Sequence, residues 1–254
     1  MPDLSVVTPV FNAARFLPDA LESVAALAVS HEHIVVDGGS ADGTVALLEG
    51  RDDPSLIWLS EQDRGQTHAV NKGFEWASGE LLGWLNGDDE YVPAAVDRAV
   101  AYLLEHPKLD AVFGAMTITD EEGAVRREYR PARYSWRRYL YLGDYVPTPT
   151  IIFRRRLLDR VGLLDEQYAD AADYDFYLRL FRGARVEGRR EPLVRFRYHA
   201  ESKTARDAFK GQREALQIRL GWARWPGERL LMHAIDGAKR LVLPRISSWP
   251  RMFT

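Results

Sequence analysis

Two adjacent carboxylates, Asp88 and Asp89, close the apolar run LLGWLNGDD that starts at Leu81. Side by side they repel each other unless a positive charge stands between or beside them. A divalent cation is one candidate, since magnesium and manganese take oxygen ligands from one or two carboxylates and from substrate phosphates. The bland alternative is a solvated acidic turn shared with Glu90. Asp37 ends HIVVD, just before the glycine-rich GGSADGT. A carboxylate at a strand end can accept the ring N–H of uracil, whereas glycines alone mark a tight turn with a helix N-cap at Ser40 or Asp42. His199 ends RFRYH; a lone histidine serves structure more often than it serves as a ligand. Asp173 opens DYDFYLRL, where it either does chemistry or caps the helix, with Asp175 pairing Arg179 one turn on.

Elements must position these groups. Short runs rich in β-branched residues at Leu4 to Val10, His33 to Gly39, Leu56 to Gln62 and Leu81 to Gly87 read as strands buried on both faces. Residues at helical spacing fill each gap between them, as in Phe16, Leu17, Ala20, Leu21 and Val24, or Ala69, Val70, Gly73 and Phe74. Strand alternating with helix predicts an α/β, Rossmann-like layered fold with a mostly parallel central sheet. Ligands bind beyond the carboxyl ends of such strands. Those ends carry Thr8, Pro9, Phe11 and Asn12, then Asp37, Arg64 and Asp88-Asp89, so one edge of the sheet is the expected site. Beyond Asp89 the alternation weakens: AVFGAMTIT and AVRREYRP form a hairpin across DEEG, PTIIFRR and EPLVRFRYH are strands, and DYDFYLRLF and Thr204 to Trp225 are helices.

At 254 residues and 46% hydrophobic content the chain can bury one large α/β domain. Residues 1–225 are expected to form it, as a nucleotide-binding half over 1–118 and an acceptor-side half over 119–225, with a basic amphipathic extension over 226–254. The net charge of -3 argues against a nucleic-acid partner. The absence of cysteine removes disulfides, thiolate catalysis and cysteine-zinc sites. The start of the chain does not read as a secretory signal and no apolar run approaches a membrane span, so a cytoplasmic protein is expected. After the first strand comes TPVFNAARF, which is neither a dinucleotide fingerprint nor a Walker loop.

The motifs VVTPVFN, IVVDGGSADGT, DRGQTHAVNKGF, GELLGWLNGDD, TPTIIFRR, DYDFYLRL and YHAESKT, in this order from Leu4 to Thr204, resemble those of the family 2 inverting glycosyltransferases, which use the A-type nucleotide-sugar fold. The resemblance implies that Pro9, Phe11 and Asn12 line the nucleoside pocket, that Asp37 reads the base, and that Arg64 with Asn71 helps hold the base or ribose side. It implies further that Asp88 faces the ribose, that Asp89 holds manganese or magnesium with His199 close to the diphosphate, and that Asp173 is the base. A single sugar would pass from a nucleotide-sugar donor, UDP-linked by expectation, to a hydroxyl of a glycan or lipid-linked acceptor in surface polysaccharide assembly. The processive synthases' glutamine-to-tryptophan motif is absent. Departures are Gly87, where many relatives have Ser, and Ala172, where many have Glu. A sugar-phosphate nucleotidyltransferase would need a glycine-rich loop with a catalytic Arg or Lys after the first strand. A catalytically inactive glycan-binding protein would bind donor without turnover.

Two segments have purely physical readings. Arg154, Arg155 and Arg156 read as a solvated helix start, and Trp84 as core. From Lys210 onward nine Lys and Arg stand against Glu214, Glu228 and Asp236, with Trp222, Trp225, Trp249 and Phe253 among them. Leu231, Ala234, Ile235, Ala238, Leu241 and Val242 recur there at helical spacing. This is either an interfacial segment attracted to anionic lipid at the inner face of the membrane or a helix that packs its apolar face on the domain.

Overall fold

The computed structural model describes residues 1–131, 133–143, 146–202 and 208–246. Asp144, Lys203, Thr204, Trp249, Arg251 and Phe253 lie outside the described residues. The front half alternates as the pattern requires: β1 (Leu4–Val10), α1 (Leu17–Ala25), β2 (His31–Asp37), α2 (Thr44–Glu49), β3 (Leu56–Ser60), α3 (Gln66–Trp76) and β4 (Leu81–Trp84). Then come β5 (Glu90–Tyr91), α4 (Pro93–Glu105), β6 (Ala111–Thr119), β7 (Val125–Tyr129), α5 (Trp136–Leu142), a short 3-10 helix (Thr148–Thr150), β8 (Ile152–Arg154) and α6 (Arg155–Val161). The remainder is α7 (Ala172–Leu180), β9 (Val186–Arg197), α8 (Ala208–Trp222) and α9 (Pro226–Ile246). The helix expected from Thr204 to Trp225 ends at Trp222, and Pro226 opens the next one, because proline fits the first turn of a helix but not its interior.

One sheet carries all nine strands, in the order β3-β2-β1-β4-β8-β6-β9-β5, with β7 on β6. Strands β1 to β4 are mutually parallel, β6 and β9 run the same way, and β8, β5 and β7 run against them. The parallel strands are buried on both faces because helices cover both. Val7, Ile34 and Val36 pack with Phe74, Phe153, Phe176 and Tyr177 on one side. Leu4, Val6 and Leu81 pack with Val24, Val96 and Val100 on the other. Gly73 lets α3 lie directly on β1, since a Cβ there would meet Val7 Cγ1 at 2.3 Å.

Two consequences matter for the site. The two-residue β5 follows Asp88-Asp89 immediately and pairs Glu90 with Arg195 and Tyr91 with Val194, which draws the acidic pair to the end of β9 and so to His199. The segment TPTIIFRR is divided: its 3-10 helix lies at the site, while Arg154 pairs with Leu81 at the opposite end of β4. Arg154 is not the solvated cation expected. It is buried, with Nε donating to the Leu109 carbonyl at 2.8 Å, and it pairs with Glu80. Trp84 is core, as read. Among the described residues no helix is long and apolar enough to cross a membrane.

Candidate active site

The loops after β1 and β2 are laced together. Asn12 takes a left-handed backbone (φ 50°), which asparagine tolerates. Its N–H donates to Ser40 Oγ at 2.7 Å and its Oδ1 accepts from the Ala41 N–H at 3.0 Å. The N–H groups of Ala13 and Ala14 donate to Thr44 Oγ1 and Asp42 Oδ2, each at 2.9 Å. The polar residues of GGSADGT are thus acceptors for the first loop, and Asp42 also accepts from the N–H of Thr44, the first residue of α2. Phe11 projects from this lattice, 66% exposed, at the rim of the edge.

Four of the expected nucleotide contacts are buried. Thr8 is buried, its hydroxyl 2.9 Å from Nε2 of His33, whose imidazole burial pushes down to about 3 and so keeps neutral. Asp37 does not offer a free carboxylate to a base. It is wholly buried, with Oδ2 accepting from the N–H groups of Gly39 and Ser40 at 3.1 and 3.0 Å and from Ser60 Oγ at 2.6 Å, and Oδ1 from Ser40 Oγ. It holds the turn after β2. Asn71 spends its amide on one backbone residue: Nδ2 donates to the Leu164 carbonyl at 3.0 Å and Oδ1 accepts its N–H at 2.9 Å. That staples the loop before α7 to α3. Pro9 is buried within β1. Arg64 does reach the edge, where it forms a two-point pair with Glu166 at 2.9 and 3.0 Å.

Asp88 and His199 meet at the open edge, Nε2 to Oδ2 2.9 Å, with the His199 ring 4.7 Å from that of Phe16. Asp89 stands behind them. It is 1% exposed, Oδ1 accepting from the Arg197 N–H and Oδ2 from Asn86 Nδ2, both at 3.1 Å. Asn86 in turn accepts from Trp84 Nε1 and from Gln66 Nε2 at the start of α3. The fold thus places the pair unequally, with Asp88 facing out and Asp89 enclosed. Burial, and then the charge of Asp88, hold the Asp89 carboxyl well above the usual carboxylate range.

A carboxyl raised in the folded state stabilises most at pH below its unfolded value, ~3.9, and that stability is lost as pH rises through the folded value. In metal-free protein the Tm advantage of wild type over Asp89→Asn is therefore expected to shrink steadily from acid to neutral pH. Melting curves that stay parallel across that range would refute it.

Arg197 escaped the sequence reading. Its guanidinium is buried under the acidic pair, where Nη2 reaches Asp19 at 2.6 Å and Glu90 at 2.7 Å. Nη1 donates to the Glu121 carbonyl at 2.9 Å and Nε to that of Asp88 at 3.3 Å, and the group lies 4.9 Å over Phe16. Period-two alternation in VRFRYH does imply that its arginines face the same side, but not that one is enclosed.

Asp173 lies in the first turn of α7, partly exposed. Oδ2 accepts from Thr148 Oγ1 at 2.9 Å and Oδ1 from the Tyr174 N–H at 2.8 Å. It is not the cap. The helix starts after Ala171, and Glu214 of α8 accepts from the N–H groups of Asp170 and Ala171 at 2.7 and 2.8 Å. Asp175 pairs with Arg179 at 2.8 Å, as the spacing implied. Thr67 Oγ1 donates to the Tyr168 carbonyl at 3.5 Å, so α3 touches both the acidic turn, through Gln66, and the approach to α7.

A divalent cation fits this edge. Among the described residues no three His, Asp or Glu side chains are gathered as a complete ligand set. Asp88 and His199 together offer a carboxylate and an imidazole, and magnesium and manganese sites of this kind take their remaining ligands from water and phosphate.

The sequence matches the Glycosyl transferase family 2 description over residues 5–162, well over half of the chain. The chain belongs to that family. This glycosyltransferase is 34% identical over 181 residues to an uncharacterized glycosyltransferase of Mycobacterium tuberculosis, covering 70% of this chain and 68% of that one. It is 26% identical over 261 residues to the PGL/p-HBAD biosynthesis glycosyltransferase of Mycobacterium bovis, covering 100% of this chain and 93% of the relative. Its fold is similar to that of TarS of S. aureus solved with UDP-GlcNAc, with a TM-score of 0.70 at 20% identity over 92% of this chain and 70% of that one. The mannosyltransferase of Pyrobaculum calidifontis solved with GDP-Man and manganese scores 0.64 at 20% identity, over 92% and 69% of the two chains. The enzyme takes a nucleotide-sugar donor, and the nucleotidyltransferase and inactive alternatives fall away. Gly87 has a local cause in this glycosyltransferase: a Cβ there would meet Val10 Cγ1 at 2.6 Å. Ala172 likewise is buried in the core.

Proposed function

We propose that this glycosyltransferase moves one sugar, with inversion, from a UDP-linked donor to a hydroxyl of a glycan or lipid-linked acceptor in surface polysaccharide assembly. The observation that carries the reading is the state of Asp173: a partly exposed carboxylate in the first turn of a helix, oriented by the Thr148 hydroxyl and the Tyr174 N–H. In that position it takes the proton of the acceptor hydroxyl as the oxygen attacks the anomeric carbon, on the face opposite the departing diphosphate. Phe11 and Asn12 offer the rim against which the nucleoside lies, and Arg64 exchanges Glu166 for the donor. Asp88 and His199 would hold manganese or magnesium, with Asp89 enclosed behind as the carboxylate that fixes the turn. When bound there, the cation supplies counter-charge to the leaving diphosphate. The solved neighbours with UDP-GlcNAc, and with GDP-Man and manganese, support a nucleotide-sugar donor and a cation.

A panel of UDP-, GDP- and dTDP-sugars tested with manganese and with excess chelator checks this. The expected result is a Tm rise with UDP-sugars that needs the cation, and turnover that chelator abolishes. Full turnover in chelator would remove the cation from the mechanism. A product that retains the donor's anomeric configuration would remove the single displacement at Asp173.

A further inference from the structure

The C-terminal helix α9 does not dock by its apolar stripe. The face turned to the domain is Glu228, Met232 and Asp236, one residue per turn, with Met232 fully buried. Tyr141 Oη donates to Glu228, which also accepts the Arg224 N–H at 2.7 Å. Asp236 pairs with Arg219 at 2.9 Å. At 3.6 residues per turn the stripe Leu231, Ala234 and Ala238 lies roughly 120° around the helix from that face. Leu231, Ala234 and Ala238 are exposed, Leu231 by 49%, and Ile235 at the edge of the stripe is half-buried. Leu230 at 71% and Trp225 at 61% extend the apolar surface at the start of the helix.

The charges here are divided between domain and solvent. The three acidic residues between Ala208 and Ala238 are spent inward: Glu214 on the chain before α7, Glu228 on Tyr141, and Asp236 on Arg219. Arg213, Arg224 and Arg229 stay at the surface. Exposed leucine and tryptophan are therefore flanked by exposed arginines, and no described residue of α8 or α9 is an exposed carboxylate. A protein-packing helix would bury its stripe; a second copy of this chain would bring the same cations against themselves.

We propose that this outer face of α9, led by Trp225, Leu230 and Leu231, docks on an anionic lipid surface. Indole and leucine enter the headgroup boundary while the arginines meet lipid phosphate. The docking is independent of the transfer reaction, so it stands or falls apart from the reading of the active site.

The test uses the full chain, because removing α9 would uncover the core face that Met232 covers and strand Arg219. Co-sedimentation is measured with phosphatidylcholine vesicles and with vesicles that also contain phosphatidylglycerol. The full chain is expected to pellet with the anionic vesicles, less as salt is raised, and not with the neutral ones. Replacing Leu230 and Leu231 together by Glu should lower partitioning by more than about tenfold at unchanged Tm. Equal pelleting of the two proteins would overturn the proposal, as would pelleting indifferent to lipid charge. Lipid-free self-association abolished by the same double substitution, with no vesicle binding, would overturn it too and assign the face to a second copy.

Discussion

Asp173→Asn is expected to lower kcat by about 10²–10⁴, the usual contribution of a positioned base, with Tm and donor affinity unchanged. The structure makes the substitution a clean one. Glu214 fixes the chain just before α7 through the N–H groups of Asp170 and Ala171, and Asp173 adds only its contact with the Tyr174 N–H. Asparagine keeps an oxygen for the Tyr174 N–H, and the Thr148 hydroxyl can turn to accept from the new amide, but the side chain can no longer take a proton. Glu214→Gln should behave in the opposite way, lowering Tm while leaving more of kcat. Single-turnover measurements decide between these roles, since they isolate chemistry from product release. A normal single-turnover rate for Asp173→Asn would move the base elsewhere.

Arg197→Met should cost about 3–5 kcal/mol of stability, the penalty for breaking a buried charge network by removing one partner. Glu90, mostly buried, would keep only the longer pair with Arg195, and the carbonyls of Asp88 and Glu121 would lose this donor. The contact with the half-exposed Asp19 adds little, because water screens it. Arg197→Lys should recover only part of the loss, since an ammonium cannot meet acceptors spread around a planar fork. The same variants should weaken cation and donor binding, as the Asp88 backbone is one of the arginine's acceptors. Denaturant titration at constant m-value is the measurement. A Met variant within about 1 kcal/mol of wild type, the range of an ordinary surface substitution, would show that the network is ornamental.

The surface ion pair at this edge does not fix the loops it joins. Arg64 and Glu166 join the loop after β3 to the loop before α7, yet both are solvent-accessible and their pairing is weak enough for a charged donor to displace. The buried ties, Asn71 on Leu164 and Arg197 on the acidic turn, are the ones that set where the loops sit.

Much of this was legible along the chain. Runs of β-branched residues separated by helical spacing made four parallel strands, because strands covered on both faces must be apolar throughout and helices that cover them must be apolar on one side. The order of the motifs pointed to the family, and the polar residues at the strand ends located the edge. Those are local properties, set by neighbours a few residues away. What each polar residue does there was decided by partners far along the chain. Thr8 turns to His33, Asp37 to Ser60, Asn71 to Leu164 and Asp89 to Arg197, and a buried polar group must take whatever partner the packing brings it. Arg197 and Glu214 look like ordinary surface residues in sequence, and only the crossing of β9 with β5 and of α8 with α7 gives them their work. In α9 the apolar period was plain from Leu231 to Val242, but periodicity specifies a face and not its direction. Leu231, Ala234 and Ala238 are left outward because Met232 packs into the core while Asp236 and Glu228 satisfy Arg219 and Tyr141, contacts that no local pattern contains.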